Sequence, residues 1–388
     1  MGLAPDGGLF VPERIPQGDM ARVEYLAGRS YADMAAYLAS EIMDDMDPEM
    51  LRKAVHEAYD FPIVLRHLDG KLYTLELFHG PTFAFKDFGA RFMGRVAAML
   101  NGGRGLTVLA ATSGDTGSAV AHGFSGVPGV RVVILYPEGK VSPLQEAQMT
   151  TLGGNIYPLR VDGTFDDCQR LVKEMFCDET LRRSVRITSA NSINLLRWLP
   201  QSFYYFYGWA AWRRITGRTH PDVVVPSGNY GNLAAGVLAQ RMGASYRQLY
   251  VPDSVSEEIL NSILAEDTGV KAVVDIIKQA DILVHGVGQA AVMARHRRMA
   301  PEFIQKLLDD GAVGEAFGQY CALDGRQVYM TNNAGLMLQD LPKIGTVIGV
   351  AGGRSKAEAI LSVIRASRQD ILVTDEAAAH CIAEMLED

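Results

Sequence analysis

Paired cysteines are missing from this sequence. Its four cysteines, Cys168, Cys177, Cys321 and Cys381, form no CxxC pair. That spacing indicates neither a zinc site nor a disulfide framework, so no metal is expected. A reducing cytoplasm is the simplest home. An excess of positive charge is missing too. The 37 Lys and Arg residues against 45 Asp and Glu leave a net charge of −8, which argues against nucleic-acid binding. No apolar run approaches the length of a bilayer span, so no membrane partner is expected. Met1-Gly2-Leu3-Ala4-Pro5-Asp6 has no basic segment before an apolar run, hence no leader is read. Its sixth residue is Asp, which breaks the myristoylation pattern. Neither a solenoid repeat nor a low-complexity linker is present.

What remains is a globular composition, 48% hydrophobic and 21% charged over 388 residues, enough for two or three domains. Gly2 to Gly18 reads as loop. Ser30 to Tyr59 has helical spacing, with Tyr31, Met34, Tyr37 and Leu38 on one apolar face and a second helix starting at Asp47-Pro48-Glu49. Lys71 to Phe78 reads as a short strand. Strands at 106–111, 131–137 and 155–161 then alternate with helices at 143–151 and 166–176. Such alternation predicts parallel sheet with crossover helices. Ser192 to Trp212 reads as one aromatic-rich helix, followed by a strand at 223–226. Further strands are expected at 247–251, 282–285, 347–350 and 371–374.

One stretch organises the rest: Leu77-Phe78-His79-Gly80-Pro81-Thr82-Phe83-Ala84-Phe85-Lys86-Asp87-Phe88-Gly89. A lysine among phenylalanines is expensive to keep charged. A neutral amine attacks an aldehyde to form a Schiff base, so Lys86 reads as an anchor for a carbonyl cofactor. A lysine snorkelling from an aromatic core edge uses the same residues.

Three loops at strand ends carry residues suited to anions, where parallel α/β sheets bind ligands. Ala111-Thr112-Ser113-Gly114-Asp115-Thr116-Gly117 opens a helix and would fit a carboxylate, or simply cap that helix. Pro226-Ser227-Gly228-Asn229-Tyr230-Gly231-Asn232 resembles a phosphate cradle, without the P-loop lysine or the GxGxxG spacing. Ser189-Ala190-Asn191-Ser192-Ile193-Asn194-Leu195-Leu196-Arg197 sets Asn194 and Arg197 one turn apart, suited to a second phosphate or carboxylate, or to a capped helix with an exposed arginine. An aldehyde anchor, a phosphate cradle and a carboxylate cradle together match pyridoxal 5'-phosphate with an amino-acid substrate.

These loops, with Ile134-Leu135-Tyr136-Pro137-Glu138-Gly139-Lys140-Val141-Ser142-Pro143-Leu144-Gln145, resemble the threonine synthase family from about residue 2 to about 235. The resemblance implies a fold type II pyridoxal phosphate enzyme, a lyase converting O-phosphohomoserine and water to threonine and phosphate. It implies Lys86 as the Schiff-base lysine and proton shuttle. Gly228, Asn229, Tyr230, Gly231 and Asn232 would hold the cofactor phosphate. Ser113, Gly114, Asp115 and Thr116 would face the substrate carboxylate, with Asn194 and Arg197 at the substrate phosphate.

From about Ala244 the family's Ala-His-Pro motif, with its hydroxyl for the pyridine nitrogen, is absent. Ser355 is a stand-in by turn type. The chain there resembles the effector domain of bacterial sugar-sensing repressors, such as the central glycolytic gene repressor. The matching stretches are Tyr246–Pro252, Val284–Gly288, Gly311–Gly318, Val350–Ile360 and Val373–Ala378. That resemblance implies a sugar-phosphate site at Arg297, Glu315 and Lys356. No helix-turn-helix segment accompanies it, and the domain's first strands are replaced. The whole reads as a chimera with a seam between Asn232 and Ala244. The expected fold is α/β: a helical domain over 1–75, the Schiff-base segment and a small α/β domain over 76–185, a cofactor-phosphate part over 186–243, and a Rossmann-like half over 244–388. The seam falls in a strand–Gly loop–helix unit that both folds use, a junction that could preserve one continuous parallel sheet. The rival reading is a sugar-phosphate-binding module or an inactive hybrid. Oligomeric state is not readable from the residues.

Overall fold

The computed structural model describes residues 10–102, 104–191, 194–225, 230–249, 256–265, 269–297 and 299–387. The chain divides into two compact units, Met1–Gln248 and Leu249–Asp388.

The first unit begins with three helices, α1 (Met20–Ala27), α2 (Tyr31–Ile42) and α3 (Pro48–Ala58). Each has a polar cap ahead of it. Asp19, Ser30 and Asp47 accept main-chain N–H groups of the first turn, satisfying donors the helix leaves open. Tyr31, Met34, Tyr37 and Leu38 are all buried, as their spacing predicts. A hairpin of β1 (Val64–Asp69) and β2 (Leu72–Glu76) leads to α4 (Lys86–Asn101). Then come β3 (Leu106–Ala111), α5 (Asp115–Phe124), β4 (Val130–Pro137), α6 (Pro143–Thr150), β5 (Ile156–Val161), α7 (Phe165–Cys177), α8 (Glu179–Ser184) and β6 (Ile187–Ser189). The strands form a parallel sheet in the order β5-β4-β3-β6. Val108, Ala110, Val132 and Ile134 fill its core beneath α4 and α5.

The aromatic stretch after β6 is not one helix. It breaks into α9 (Leu195–Trp198), a 3-10 turn (Leu199–Gln201) and α10 (Ser202–Thr216). Pro200 has no N–H to continue the ladder, and the Gln201 side chain donates to the Arg197 carbonyl at 2.9 Å instead. Phe88 and Phe92 of α4 pack against Phe203, Tyr204 and Phe206 of α10 with no exposed surface on the phenylalanines. Each such ring contributes about 1.5–3 kcal/mol, which locks α4 against α10. A short pair follows, β7 (Asp222–Val224) with β8 (Arg247–Leu249), flanking α11 (Gly231–Arg241).

The second unit holds α12 (Glu257–Ala265), α13 (Gly269–Ile277), β9 (Ile282–Gly286), β10 (Gly288–Gln289), α14 (Ala290–His296), α15 (Pro301–Asp309), β11 (Ala312–Ala316), β12 (Gln319–Ala322), β13 (Gln327–Met330), β14 (Thr346–Val350), α16 (Ala357–Ala366), β15 (Ile371–Val373) and α17 (Glu376–Glu387). Strands β15-β14-β9 are parallel, in keeping with the Rossmann-like half that the resemblance implies. Strands β10-β11-β12-β13 form an antiparallel sheet that the residue pattern does not announce. Among the described residues β7 pairs with β8 alone, and β9, β14 and β15 make a sheet of their own. A strand of three residues offers few ladder bonds, so this pair is a short local ribbon.

Candidate functional site

Lys86 is the first residue of α4, after a turn in which Phe83 takes a left-handed φ of 58°. Such a conformation is costly for an aromatic residue and must be held by its surroundings. Asp87 holds it. Its carboxylate accepts from the Thr82 N–H at 2.9 Å and from the Thr82 hydroxyl at 2.6 Å. Asp87 is fully buried, and burial raises its carboxyl pKa, against the Thr82 bonds that lower it.

Thr82 and Asp87, the polar groups nearest Lys86 in sequence, are thus bonded to each other. The Lys86 amine instead donates to Asp115 Oδ2 at 3.1 Å and stands 5.2 Å from the centre of the Phe85 ring. Its side chain is 23% exposed, so the amine has an anionic partner and access to solvent. The setting is mixed, not purely apolar.

Asp115 is presented by the loop after β3. Thr112 is buried, and its hydroxyl oxygen accepts the N–H groups of Gly114 at 3.0 Å and Gly117 at 2.8 Å. Gly114 has φ 154° and ψ −110°, a region only glycine enters easily. That turn starts α5 at Asp115, whose carboxylate also accepts from the Gln145 amide. Ser113 is exposed, and Thr116 is half-buried beside Asp115.

Asn194 and Arg197 lie inside the fold. The Asn194 side chain caps α9 through the Leu196 N–H at 3.1 Å and donates to the Ser189 carbonyl at 2.9 Å. Arg197 is buried, and its Nη1 donates to the Lys86 carbonyl oxygen at 3.2 Å. Burial lowers the Arg197 pKa to about 10, with the Asp87 charge pulling upward. Sequence spacing places these two on a common turn but gives no sign that both face inward.

Gly228 and Asn229 lie outside the described residues. Tyr230 has φ 55° and precedes α11, in whose first turn the Asn232 side chain accepts the Leu233 N–H at 3.0 Å. Gly231 and Asn232 form the first turn. The Asn232 carbonyl accepts from the Tyr205 hydroxyl at 2.7 Å, tying that turn to α10. The first-turn N–H groups of a helix are anion donors.

In the second unit Arg297 and Glu315 form a buried ion pair at 3.2 Å. Arg297 also donates to the Tyr320 hydroxyl at 3.2 Å, and Glu315 accepts the Gly318 N–H at 2.6 Å. The Lys356 amine donates to the Val287 carbonyl at 3.1 Å, beside Gly288, the register partner of Glu315. The three residues therefore converge on one strand junction. Ser355 is exposed, and its carbonyl accepts from Gln289 at 2.6 Å. Among the described residues no His, Cys, Asp and Glu cluster suits a metal, and no helix is long and apolar enough to cross a membrane.

Two family models match the chain: the threonine synthase N terminus over residues 1–59 and a sugar-binding domain over residues 216–384. Threonine synthase of Escherichia coli is 44% identical over 259 residues, covering 66% of this chain and 60% of that enzyme. The Schizosaccharomyces pombe enzyme is 40% identical over 278 residues, covering 67% and 54%. This chain thus spans about 60% of the length of the E. coli relative. Among solved structures, yeast threonine synthase aligns at TM-score 0.57 and 30% identity, over 80% of this chain and 67% of that one. A pyridoxal-phosphate-bound threonine synthase from Brucella melitensis shares the fold at TM-score 0.61 over 98% and 94% of the two chains, with 24% identity. With its lysine turn, its Thr112-anchored loop and the matching solved enzymes, this chain belongs to the threonine synthase family, and its C-terminal part carries the match to a sugar-binding domain.

Proposed function

We propose that the first unit binds pyridoxal phosphate at Lys86 and acts as a lyase of the threonine synthase type, turning O-phosphohomoserine and water into threonine and phosphate. The observation that carries this reading is the 3.1 Å contact between the part-exposed Lys86 amine and Asp115. It joins the amine to the loop assigned to the substrate carboxylate. The residues present fit the cofactor: a primary amine on a braced turn, and a helix start at Tyr230, Gly231 and Asn232, the kind of place that receives a phosphate. Gly228 and Asn229 belong to the same proposed cradle.

Bound there, pyridoxal phosphate supplies an aldehyde for the lysine and an electron sink for a carbanion at the substrate Cα. The chain's own residues do the rest. Asp115 orients the Lys86 amine, and Gln145 fixes Asp115. The Lys86 amine would carry the proton at the substrate Cα. Ser113, Gly114 and Thr116 offer the start of α5 to the substrate carboxylate. Arg197 and Asn194 act by holding the Lys86 segment and α9, so their effect on a substrate phosphate is indirect. Reconstitution tests the reading. Wild type mixed with pyridoxal phosphate should gain a visible absorbance band that Lys86→Ala lacks, and phosphate should be released from O-phosphohomoserine. A wild type with no band sinks it.

A second reading is supported by the buried Arg297–Glu315 pair within the sugar-binding match. Arginine with a nearby lysine suits a sugar phosphate. Fructose bisphosphate should raise the melting temperature, since a ligand of the native state stabilises it. No shift at millimolar ligand removes this reading.

A further inference from the structure

A cavity in the first unit has neither Lys86 nor Asp115 in its lining. It measures about 420 Å³ and opens beside β6, the edge strand of the parallel sheet. Met93, Ala97 and Leu100 line it from one face of α4, at spacings of four and three residues, and Leu106, Val185 and Leu196 complete an apolar wall. Its polar groups are Asn101, Thr188, Asn194, Arg182 and Arg186.

Those polar groups divide by availability. Asn101 is spent: it donates to the Gly129 carbonyl and accepts from Arg186. Thr188 and Asn194 are bonded to each other at 3.5 Å, and Asn194 also serves Ser189 and Leu196. The guanidiniums remain as cations, with Arg186 Nη1 already donating to Asn101 and to the Arg104 carbonyl. Arg183 pairs with Glu179 at 3.0 Å, whereas among the described residues Arg182 and Arg186 pair with no carboxylate. Both are exposed. Among the described residues the lining contains no Asp or Glu. In a chain of net charge −8, this is a cavity whose charge is wholly positive.

The lining selects a ligand class. An ammonium finds no anionic partner there, so free amino acids and amines are disfavoured. A small hydrophilic anion gains from the arginines but leaves the apolar wall wet. A molecule with an anionic end and an apolar body satisfies both, with the carboxylate accepting a forked guanidinium bond and the body covering Met93, Ala97 and Leu100. The volume lies within the range of small-molecule sites. We infer that this cavity is a binding site for an apolar monocarboxylate, separate from Lys86.

Titration calorimetry on the full chain tests this with octanoate, octylamine and inorganic phosphate as probes. Octanoate should bind saturably with a stoichiometry of one, and neither octylamine nor phosphate should match it. Arg182→Ala removes an exposed cation and should weaken octanoate about tenfold. Leu100→Glu places a like charge at the half-exposed mouth and should do the same. Both changes are at the surface, and circular dichroism verifies the fold. Lys86→Ala should bind octanoate as wild type does, which separates this site from the lyase reading. The inference is overturned by no octanoate binding at millimolar concentration, by equal octylamine binding, or by unchanged affinity in both surface variants.

Discussion

Arg197 Nη1 and the main-chain oxygen of Lys86 are hydrogen-bonded at 3.2 Å across 111 positions of sequence. The bond places a buried cation directly behind the Lys86 backbone. Arg197 makes it from the short α9, which ends ahead of Pro200 and its missing N–H. With its pKa near 10, the guanidinium is still charged at neutral pH. Its long-range counter-charge is Asp87, itself braced by Thr82.

Arg197→Met keeps most of the volume and removes the charge. It takes the positive charge from behind Asp87 and should cost about 1–3 kcal/mol at neutral pH. Combining it with Asp87→Asn should cost less than the two single changes added together, because the pair is coupled. Urea unfolding of the four proteins measures the cycle. Additivity within about 0.5 kcal/mol would mean no coupling.

Asp87 also sets a pH signature. Its folded pKa is raised, so its contribution to stability is fully present below the ordinary carboxylate pKa of about 4 and is lost as pH rises through the raised folded value. Wild type should therefore gain stability relative to Asp87→Asn as pH falls from 7 toward 4. A difference that is flat with pH, or that grows in the opposite direction, contradicts burial as the dominant cause.

Gly89 lies where α4 crosses the α9 segment. A Cβ built there overlaps the Arg197 carbonyl oxygen, which is backbone and cannot swing aside. Gly89→Ala should cost more than about 3 kcal/mol or prevent folding, through forced separation of the two segments. Gly105 is the control, since a Cβ there meets nothing within 4 Å. Gly105→Ala should change stability by less than about 1 kcal/mol. Equal effects in the two variants, read by denaturant midpoint, would refute the close-approach account.

The residues carry part of this arrangement openly. Lys86 is legible because a lysine among phenylalanines asks for a reason, and the 111–117 loop because a strand, small residues and a helix follow in order. The partner of Lys86 is not legible. Asp115 reaches it through the packing of α4 on α5, which no local period encodes. Nor is the inward turn of Asn194 and Arg197, since their spacing fits an exposed turn equally well. The antiparallel sheet escapes for a different reason. Ala312-Val313-Gly314-Glu315-Ala316 has no apolar–polar alternation, because both its faces are covered. Glu315, which the resemblance places at a sugar-phosphate site, is buried.

That burial gives the final prediction. Glu315 accepts from Arg297 at 3.2 Å and from the Gly318 N–H at 2.6 Å, in a turn where Phe317 and Gly318 both have left-handed φ, 56° and 75°. The carboxylate therefore neutralises a buried cation and braces a strained hairpin at once. Glu315→Ala should destabilise the second unit by about 3–5 kcal/mol, since it removes one member of a buried pair. Glu315→Gln keeps an acceptor oxygen for Gly318 and should recover part of the loss. Because each unit has its own core, the loss should fall on the unfolding transition of the second unit, followed by hydrogen exchange at β11 and β12. Protection there that survives Glu315→Ala would show that the pair contributes little, and that the antiparallel sheet is held by its apolar layers alone.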